Sequence, residues 1–449
     1  MEKKLNQLGF HYIRYSISAN QKYLKFFLDK YDNLIINGKT VASNGNALSL
    51  FLPGITKKVK FIIDPETHAF QHNPSHIESN TKKNRGKRII KRSIKMLIKA
   101  YGEPIESITN SGRSLDPSDF TVKNLKPFCK RVLDFQLKTI KKEESKPEVS
   151  EYYDFLKGKN KIKDDTVRPS FLIAPYFYLC ETSFDEWMDL NIKCIETSLI
   201  LNKDCEVPLA AQLVISKDIL TNHEKFEKII EKYNSIKLQK IFLWIDSFSE
   251  QEVSEFCLVK YIELLDRLNS KTIVNLFGGY FSIVLKKLKI CENLVGVSHG
   301  IGFGEERSVV PVGGGLPAAK FYLPRLHKRL IFRESTQTIV PFGGHKDKKS
   351  FFKEICDCET CQLIIKNDPI NDFENYGITS TSPKDSKEYP TSETRDNCTT
   401  HYMYCKIKEY SSSINQQDFE EELKYVYSKL KNILPDQISH CLKWINAIK

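Results

Sequence analysis

The chain has 449 residues, of which 41% are hydrophobic, and its formal charge is +12. Its mean hydropathy is −0.38 and it has no run of about 18 apolar residues, so the sequence predicts no membrane-spanning helix. The first residues, MEKKLNQLGF, lack the features of a secretory signal, and we expect a cytoplasmic protein without a membrane partner. The positive charge favours an anionic partner, with nucleic acid first, although a lysine-rich proteome is the alternative explanation.

Short apolar runs alternate with helix-like stretches through the first three quarters of the chain. The runs predicted as strands are LIIN near residue 34, FIID at 61–64, FLIAPY at 171–176, IKCIE at 192–196, PLAAQLV at 208–214, IFLWID at 241–246, IVNLF at 273–277, LVGV at 294–297 and, as a further candidate, AKFYLP at 319–324. The clearest predicted helices span 223–238 and 252–268. This alternation predicts an α/β fold, a (β/α)8 TIM-like barrel, with a doubly wound open sheet as the alternative.

A basic segment interrupts the alternation. Residues 75–165 are interpreted as an insertion on a barrel domain that spans 1–335. Within it, residues 82–99 contain nine Lys or Arg and no acid, and apolar residues recur there at helical spacing. The expected amphipathic helix would present phosphates with a positive face, or would be an ordinary solvated helix. The residues expected to bind nucleic acid are Lys87, Arg88, Lys91 and Arg92.

Three cysteines within six residues mark the second predicted domain, 336–449. Cys356, Cys358 and Cys361 form a C-x-C-x-x-C motif, and thiols this close together indicate a metal site rather than disulfides in a reducing compartment. Structural zinc accepts three cysteines and one histidine, so we expect Zn²⁺ with His401 as the fourth ligand. Cys398 and Cys405 are rival ligands, and the spacing does not exclude iron. The polar residues 367–397 are predicted as a loop and 418–434 as a helix.

The cysteine motif, followed by a distant histidine after a predicted barrel, resembles the tRNA-guanine transglycosylase superfamily. Members of that family are (β/α)8 barrels with a zinc subdomain, and they exchange a guanine base for a 7-deazaguanine. HYMY at 401–404 is similar to the aromatic segment that the zinc histidine opens in the family, although the distance from Cys361 to His401 is longer here. The resemblance implies a zinc-containing pentosyltransferase.

A second part of the resemblance lies in FIIDPETHAFQ, residues 61–71. It is similar to the family motif D-S-G-G-[FY]-Q, but its loop is two residues longer and lacks the glycines. By resemblance, Asp64 is the catalytic acid/base, and apolar walls would raise its pKa. A helix N-cap is the alternative role for Asp64. The resemblance assigns substrate contacts to Phe70, Gln71, Gln212, Gly278 and Gly279.

The nucleophile is the main departure from the family. Lys320, in AKFYLPRLHKR, stands where the family aspartate is expected. We therefore assign the nucleophile to Asp246, at the end of IFLWID, with Glu305 and Glu306 as rivals and an N-cap as the alternative role for Asp246. Two strand-end carboxyl groups suit a base exchange, because one can capture the sugar carbon while the other moves a proton.

The resemblance also bears on the substrate. Divergence from the tRNA enzymes, together with the basic insertion, favours the branch that installs a 7-deazaguanine such as preQ0 in DNA. In that case a 7-deazaguanine base and further subunits of a DNA-modification system are the expected partners. The alternatives are a tRNA-guanine transglycosylase, a non-catalytic zinc-containing subunit that binds nucleic acid, and an unrelated barrel hydrolase of nucleosides.

Overall fold

A computed structural model describes residues 10–15, 23, 30–55, 59–79, 89–138, 167–301, 304–310, 319–382 and 388–449. Its main element is a mostly parallel, nearly closed barrel with helices around it, so the predicted TIM-like α/β fold is confirmed. The strands of the barrel sheet are β1 (His11–Tyr15), β2 (Asn33–Asn37), β3 (Lys60–Asp64), β4 (Leu172–Ile173), β5 (Tyr178–Leu179), β6 (Leu209–Ser216), β7 (Lys240–Asp246), β8 (Thr272–Asn275) and β9 (Leu294–Gly300).

Strand order explains how the barrel nearly closes. The order is β3-β2-β1-β9-β8-β7-β6-β4, and β5 also pairs with β6. The two ends of this order meet where the Ser170 N–H donates to the Phe61 carbonyl over 2.8 Å. In a parallel barrel all carboxyl ends of the strands lie at one face, and side chains alternate between interior and exterior. Asn37 pairs with Asp64 at the ends of β2 and β3.

Fifteen helices are present among the described residues, and most follow a strand. They are α1 (Gly38–Ile55), α2 (Arg92–Tyr101), α3 (Ile105–Ser111), α4 (Val122–Lys138), α5 (Phe184–Leu201), α6 (His223–Ser235), α7 (Glu255–Arg267), α8 (Tyr280–Lys287), α9 (Phe332–Phe342), α10 (Lys348–Glu354), α11 (Glu359–Ile364), α12 (Pro369–Glu374), α13 (Ser392–Ser411), α14 (Gln416–Leu430) and α15 (Ser439–Ala447). The two clearest predicted helices correspond to α6 and α7, which Asn222 and Ser254 cap by accepting backbone N–H groups.

Two strand predictions were wrong. IKCIE, residues 192–196, lies inside α5, where the buried positions recur at helical spacing; a short apolar run fits a strand or a buried helix equally well. AKFYLP contains β10 (Phe321–Leu323), but β10 pairs antiparallel with β11 (Lys328–Leu330) outside the barrel sheet. The sequence HYIRY was not predicted as a strand, yet it forms β1. Its arginine, Arg14, is buried there in an ion pair with Asp64.

The polar stretch 367–397 is more ordered in secondary structure than the loop that was predicted. It contains α12, the hairpin of β12 (Thr379–Thr381) and β13 (Glu388–Pro390), and the start of α13. Side-chain caps hold this region: Asp368 accepts the N–H groups of Ile370 and Asn371, and Asp372 accepts that of Lys366. Polar composition alone therefore gave the wrong prediction here, because the same residues cap short helices.

The predicted basic insertion contains α2, α3 and α4, between β3 and β4. Helix α2 buries Ile94, Leu97, Ile98 and Tyr101, as the helical spacing indicated. Its exposed residues include Lys91 at the N-cap and, within the helix, Arg92, Lys95 and Lys99. Lys87 and Arg88 lie outside the described residues. The amphipathic character of the helix is confirmed, and its outward face is basic.

The chain divides into two compact units that share its middle part. The first unit comprises Met1–Asp246, Asn269–Val274 and Ser308–Gly313. The second comprises Ser247–Leu268, Asn275–Arg307 and Gly314–Lys449. Among the described helices, none combines the length and the apolar content needed to cross a lipid bilayer.

Candidate functional site

A cluster of soft ligands lies in the second unit. Cys356, Cys358, Cys361 and His401 each offer one ligand atom, and these atoms all lie within 4.8 Å of one another. The His401 Nδ1 atom is 3.7, 3.3 and 3.5 Å from the Sγ atoms of Cys356, Cys358 and Cys361. These four residues, which we call the Cys₃His cluster, could hold one metal ion.

The surroundings of His401 fix which of its nitrogens faces the cysteines. Its Nε2 lies 2.7 Å from the Tyr322 carbonyl oxygen, which can only accept, so Nε2 donates and Nδ1 is left for the cluster. The ring of Phe321 stacks on the imidazole with centroids 4.1 Å apart. Hairpin β10–β11 therefore orients the histidine, as outer contacts usually do for metal-binding histidines. The segment AKFYLP, which was predicted as a further strand of the barrel, therefore contributes to the orientation of His401.

The rival ligands differ in position. Cys405, one turn after His401 on α13, has its Sγ 3.7 Å from His401 Nδ1 and 3.8 Å from Cys356 Sγ. Cys405 is nevertheless not one of the four residues whose ligand atoms all lie within 4.8 Å of one another. Cys398 is buried on the same helix but does not join the cluster. A cavity of about 600 Å³ adjoins Cys356, Cys358 and Cys405.

A second group of polar and aromatic side chains lies at the carboxyl ends of strands in the first unit. Asp64 ends β3 and Asp246 ends β7. We call the group the strand-end cluster; its members are Arg14, Asp64, His68, His72, Tyr176, Tyr178, Trp244 and Asp246. Both aspartates that the sequence singled out belong to it.

Asp64 is fully buried, and both of its carboxylate oxygens accept hydrogen bonds within the protein. Its Oδ2 forms an ion pair of 2.8 Å with Arg14, and its Oδ1 accepts from the Tyr176 hydroxyl at 2.5 Å and from the Glu66 N–H at 3.1 Å. Arg14 also donates to Asn37 and lies over the Trp244 ring at 5.9 Å. The N-cap alternative does not describe Asp64, because the 3₁₀ turn Thr67–Phe70 has Glu66 at its N-cap.

The expected raised pKa of Asp64 was wrong in direction. Burial alone would raise the pKa of this carboxyl group, but the Arg14 charge, then His68, and the hydrogen bond from Tyr176 outweigh burial and hold the pKa below its usual range. The sequence showed the apolar strand Phe61–Ile63 but gave no indication that β1 would bring an arginine to its end. Asp64 is therefore a carboxylate at neutral pH.

The turn after β3 is fastened to the segment after β4. The Thr67 hydroxyl donates to the Tyr176 carbonyl over 2.6 Å and accepts from the Tyr176 N–H over 2.9 Å. His68 Nδ1 lies 3.0 Å from the Tyr176 hydroxyl, and its ring meets Trp244 edge-on with centroids 5.3 Å apart. These contacts place the His68 imidazole next to the Asp64 carboxylate in a fixed orientation.

Asp246 is less buried than Asp64 and is held by two donors. Its Oδ2 accepts from the Tyr178 hydroxyl at 2.9 Å, and its Oδ1 accepts from the Val309 N–H at 2.7 Å. The His72 ring lies 6.0 Å from Tyr178 and 6.1 Å from His68, which links the two aspartates through one set of side chains. Burial lowers the pKa of His72 to about 4, with His76 adding to this and Asp246 opposing it. The N-cap alternative does not apply to Asp246, since Ser254 caps the next helix.

Two of the residues expected at the substrate are engaged within the protein. Phe70 is buried, and its ring meets the edge of Tyr101 at 6.4 Å. Gln71 donates to the Tyr178 carbonyl and accepts from the Tyr178 N–H at 2.6 Å, so its amide holds β5 in place. In this arrangement Gln71 positions Tyr178, and through it Asp246.

Gln212, unlike Gln71, has an amide that other described residues do not engage. It lies on β6 opposite Phe242 and is 1% exposed, yet neither its amide nitrogen nor its amide oxygen has a hydrogen-bond partner among the described residues. An unpaired buried amide costs about 1–3 kcal/mol, so a polar group that paired with Gln212 would be stabilising. Its side chain shares one face of the sheet with Val214 and Ser216, and with Trp244 and Asp246 on β7.

The two glycines of FGGY lie in the second unit, where the chain's own side chains crowd them. A β-carbon at Gly278 would lie 2.5 Å from Val297 Cγ1. One at Gly279 would lie 2.7 Å from an oxygen of Glu250 and 2.8 Å from an oxygen of Glu305. Glycine is therefore needed at both positions for close packing. The neighbouring Glu250 is buried, and this burial raises its pKa to about 7.

The remaining candidates for the nucleophile are placed differently from Asp246. Glu305 forms a 2.7 Å ion pair with the fully buried Lys406 and accepts from Gln251. Glu306 and Lys320 are exposed, and Lys320 precedes hairpin β10–β11 rather than ending a barrel strand. The comparison of Lys320 with a nucleophile on the last barrel strand was therefore wrong, because β9 is that strand in this sheet.

The sequence reasoning did not identify Arg14, His68, His72, Tyr176 or Tyr178. One signal was available for the tyrosines: they follow the predicted strand FLIA at alternate positions, so both can point to the same side. The partners of Arg14 and His68 lie 50 and 108 residues away, beyond the reach of any local pattern.

No protein-family model matches this sequence, and no curated protein matches it significantly. The function is therefore inferred from the residues and their geometry.

Proposed function

We propose that this protein is a base-exchange transglycosylase, which replaces guanine in nucleic acid, preferably DNA, with a 7-deazaguanine such as preQ0. One observation carries the proposal: the carboxyl groups of Asp64 and Asp246, from two strand ends, meet a single connected cluster of histidine and tyrosine side chains. Carboxyl groups at the carboxyl-terminal face of a β/α barrel are well placed for catalysis on a glycosidic bond.

In this proposal Asp246 is the nucleophile. It is the more accessible of the two aspartates, and the Tyr178 hydroxyl and the Val309 N–H orient its oxygens. Attack on the anomeric carbon of the target nucleotide would give a covalent glycosyl-enzyme, which the incoming base then resolves. Gln212 would pair its unsatisfied amide with the polar edge of the base, as glutamine does with purines.

For the metal, we propose structural Zn²⁺ in the Cys₃His cluster. With Zn–S of about 2.3 Å and Zn–N of about 2.0 Å, tetrahedral geometry separates sulfur and nitrogen ligands by about 3.5 Å. The observed separations of 3.3–3.7 Å fit that value. The ion would brace α11, α13 and hairpin β10–β11, and no chemical step requires it.

Replacing Cys358 with Ser is expected to reduce bound zinc from about one per chain to near zero and to loosen the second unit, because three ligands hold zinc poorly. Cys405→Ser is the matched control: it removes a neighbouring thiol outside the Cys₃His cluster and should keep about one zinc. Metal analysis of the purified variants, beside circular dichroism, measures both effects. Stoichiometric zinc in Cys358→Ser, or equal loss in Cys405→Ser, would contradict the ligand assignment.

The basic face of α2 is the proposed contact for the phosphate backbone. Reversing four exposed charges should weaken DNA binding and reduce the salt dependence by about one unit of slope for each phosphate that the helix no longer neutralises. The variant carries Glu in place of Lys91, Arg92, Lys95 and Lys99. The buried side of α2 is untouched, so the fold should persist.

A control variant with the same charge change distinguishes an effect of the α2 surface on DNA binding from an effect of overall charge. It carries Glu in place of the exposed residues Lys193, Lys203, Lys232 and Lys237. Fluorescence anisotropy with a labelled duplex, titrated at several salt concentrations, gives the slope for each variant. Equal slopes for the two variants would show that α2 does not contact the phosphates.

The activity itself is tested by mass spectrometry of nucleosides. Cells that make 7-deazaguanines would express this chain, and nucleosides from their DNA and their tRNA would be analysed separately. A 7-deazaguanine nucleoside in DNA supports the proposal, and one in tRNA alone moves the substrate to tRNA. If neither polymer is modified while the purified protein binds nucleic acid, the alternative of a non-catalytic binding subunit is favoured.

A further inference from the structure

A thiol outside the Cys₃His cluster lies in contact with a thiol inside it. The Sγ atoms of Cys405 and Cys356 are 3.8 Å apart, although the two residues are 49 positions apart in the chain. Cys405 is on α13, and Cys356 lies between α10 and α11. Zinc does not need Cys405, because Cys356, Cys358, Cys361 and His401 already supply the four ligands of a structural site. Cys405 therefore touches the cluster without being part of it.

The distance between these two sulfur atoms suits the formation of a covalent bond. At 3.8 Å the atoms are in van der Waals contact, and a disulfide bond of about 2.05 Å needs them to approach by less than about 2 Å. Within the turn, by contrast, the sulfur atoms accept backbone hydrogen bonds: Cys356 Sγ accepts the Cys358 N–H over 3.5 Å, and Cys358 Sγ accepts the Cys361 N–H over 3.4 Å. The C-x-x-C spacing also allows a bond between Cys358 and Cys361, which is the competing product.

A cavity gives small reagents a route to both sulfur atoms. Cys356 and Cys405 are only 7% and 4% exposed, so the outer surface offers little access to them. Both residues, together with the half-buried Cys358, line the cavity of about 600 Å³ in the second unit. One water molecule occupies about 30 Å³ in the liquid, so a small hydroperoxide fits this volume easily.

We propose that Cys356 and Cys405 form a redox modification site whose oxidant is a hydroperoxide. Cys356 is oxidised first, and Cys405 is the resolving cysteine that converts the oxidised sulfur into a disulfide. The loss of metal that follows rests on the proposed zinc site, whereas no part of the inference depends on base exchange.

The oxidation proceeds in two balanced steps, written here for hydrogen peroxide. The Cys356 sulfur bonds to one peroxide oxygen as the O–O bond breaks, and the departing hydroxide takes up a proton to form water; Cys356 is then a sulfenic acid. The Cys405 sulfur next bonds to the Cys356 sulfur as the S–O bond breaks, and the departing hydroxide takes the proton of the Cys405 thiol. Together the two sulfur atoms lose two electrons, and the peroxide is reduced to two molecules of water.

The disulfide changes what the cluster can hold. Only Cys358, Cys361 and His401 remain as ligands, so we expect the metal to leave. The new bond also ties the turn that carries the cysteines to α13, which carries His401 one helical turn before Cys405. The ligands therefore stay close together in the oxidised protein, and reduction can restore the site.

The first test maps the oxidised sulfur atoms in the full-length wild-type protein and needs no variant. Zinc-loaded protein, freed of reductant, is treated with hydrogen peroxide while a chromophoric chelator records zinc release; free thiols are then blocked and the protein is digested. We expect the release of about one zinc per chain, and mass spectrometry should find the Cys356 peptide linked to the Cys405 peptide. A bond between Cys358 and Cys361 in its place, or zinc release without a disulfide at Cys405, would overturn the inference.

The second test measures whether the oxidation can be reversed. Without a resolving thiol, Cys356 is oxidised onward to sulfinic acid, which thiol reductants do not reverse, so Cys405→Ser should regain less than about half of its zinc after peroxide, dithiothreitol and fresh zinc. Wild type should regain most of its zinc. Cys398→Ser is the matched control, because it removes another buried thiol of α13 outside the cluster and should recover like wild type. Equal recovery by Cys405→Ser and wild type would refute the resolving role.

The outcomes separate this inference from the proposed function. Neither test measures base exchange, so an inactive protein would contradict the transglycosylase proposal and leave this inference unaffected. If purified wild type holds no zinc, the metal assignment fails, and the peptide map still decides the inference. A disulfide between Cys356 and Cys405 then supports the modification site, and its absence after peroxide treatment overturns the site.

Discussion

Replacing Asp246 with Asn is expected to reduce base exchange by about 1,000-fold or more while leaving the fold intact. The amide has the size of the carboxyl group, its oxygen can still accept from the Val309 N–H, and the Tyr178 hydroxyl can find a partner in it. It cannot form the ester-like bond to the sugar, and losing a nucleophile is among the largest single effects in enzymes. Labelled 7-deazaguanine incorporated into DNA measures the loss.

Two further measurements make this result specific. Asp189→Asn, an exposed residue of α5, removes the same charge from the first unit and should keep wild-type activity. Intact-protein mass spectrometry after acid quenching should detect a nucleic-acid adduct on wild type and none on Asp246→Asn. Exchange by Asp246→Asn within tenfold of wild type, with an unchanged melting curve, would remove Asp246 from the proposed mechanism.

The largest effect on stability is expected from Arg14→Leu. Leucine leaves the Asp64 carboxylate buried without its cation, and breaking a buried ion pair in this way costs about 3–5 kcal/mol. Arg113→Leu is the matched control, because Arg113 is exposed and its ion pair with Asp119 should therefore contribute little to stability. Urea unfolding, followed by the fluorescence of the tryptophans, compares the free energies of unfolding of both variants with that of wild type.

The Arg14–Asp64 ion pair also predicts how the cost of Arg14→Leu depends on pH. The pKa of Asp64 is lowered in the folded protein, so its contribution is fully present above the unfolded value of about 4 and is lost as the pH falls through the folded value. The cost of Arg14→Leu should therefore be greatest near pH 7 and should shrink as the pH approaches 3. A cost that equals that of Arg113→Leu, or that grows in acid, would contradict the ion-pair interpretation.

The sequence predicted those parts of the fold that depend on local pattern. The apolar runs at β2, β3, β6, β7, β8 and β9 and the helical spacing of α6, α7 and α14 are visible within a few residues. The Cys₃His cluster could also be predicted, because three ligands lie on one turn and His401 was the expected fourth ligand. Excluding the rival ligands Cys398 and Cys405 needed the fold. The short run IKCIE failed because a buried helix and a buried strand look alike over five residues.

The candidate active site could be predicted only in part. Asp64 was assigned from the resemblance of FIIDPETHAFQ to the family motif, and Asp246 was assigned because it ends an apolar strand. Both ends lie at the face of the barrel where catalytic residues are generally found. The charge state of Asp64 could not be found, because it depends on Arg14, which lies 50 residues earlier in the chain. The role of Gln71 was equally hidden, since its partner Tyr178 lies 107 residues later.

The way the two units share the chain has a consequence for synthesis on the ribosome. Translation proceeds from the N-terminus, and the first unit takes its last segment, Ser308–Gly313, from a point well after its main part ends at Asp246. That unit cannot be completed until the segment has left the exit tunnel, by which time residues of the second unit are already exposed. Neither unit can be produced as one continuous fragment, so a message truncated within this shared region would give a nascent chain with unpaired strands, a target for chaperones and proteases.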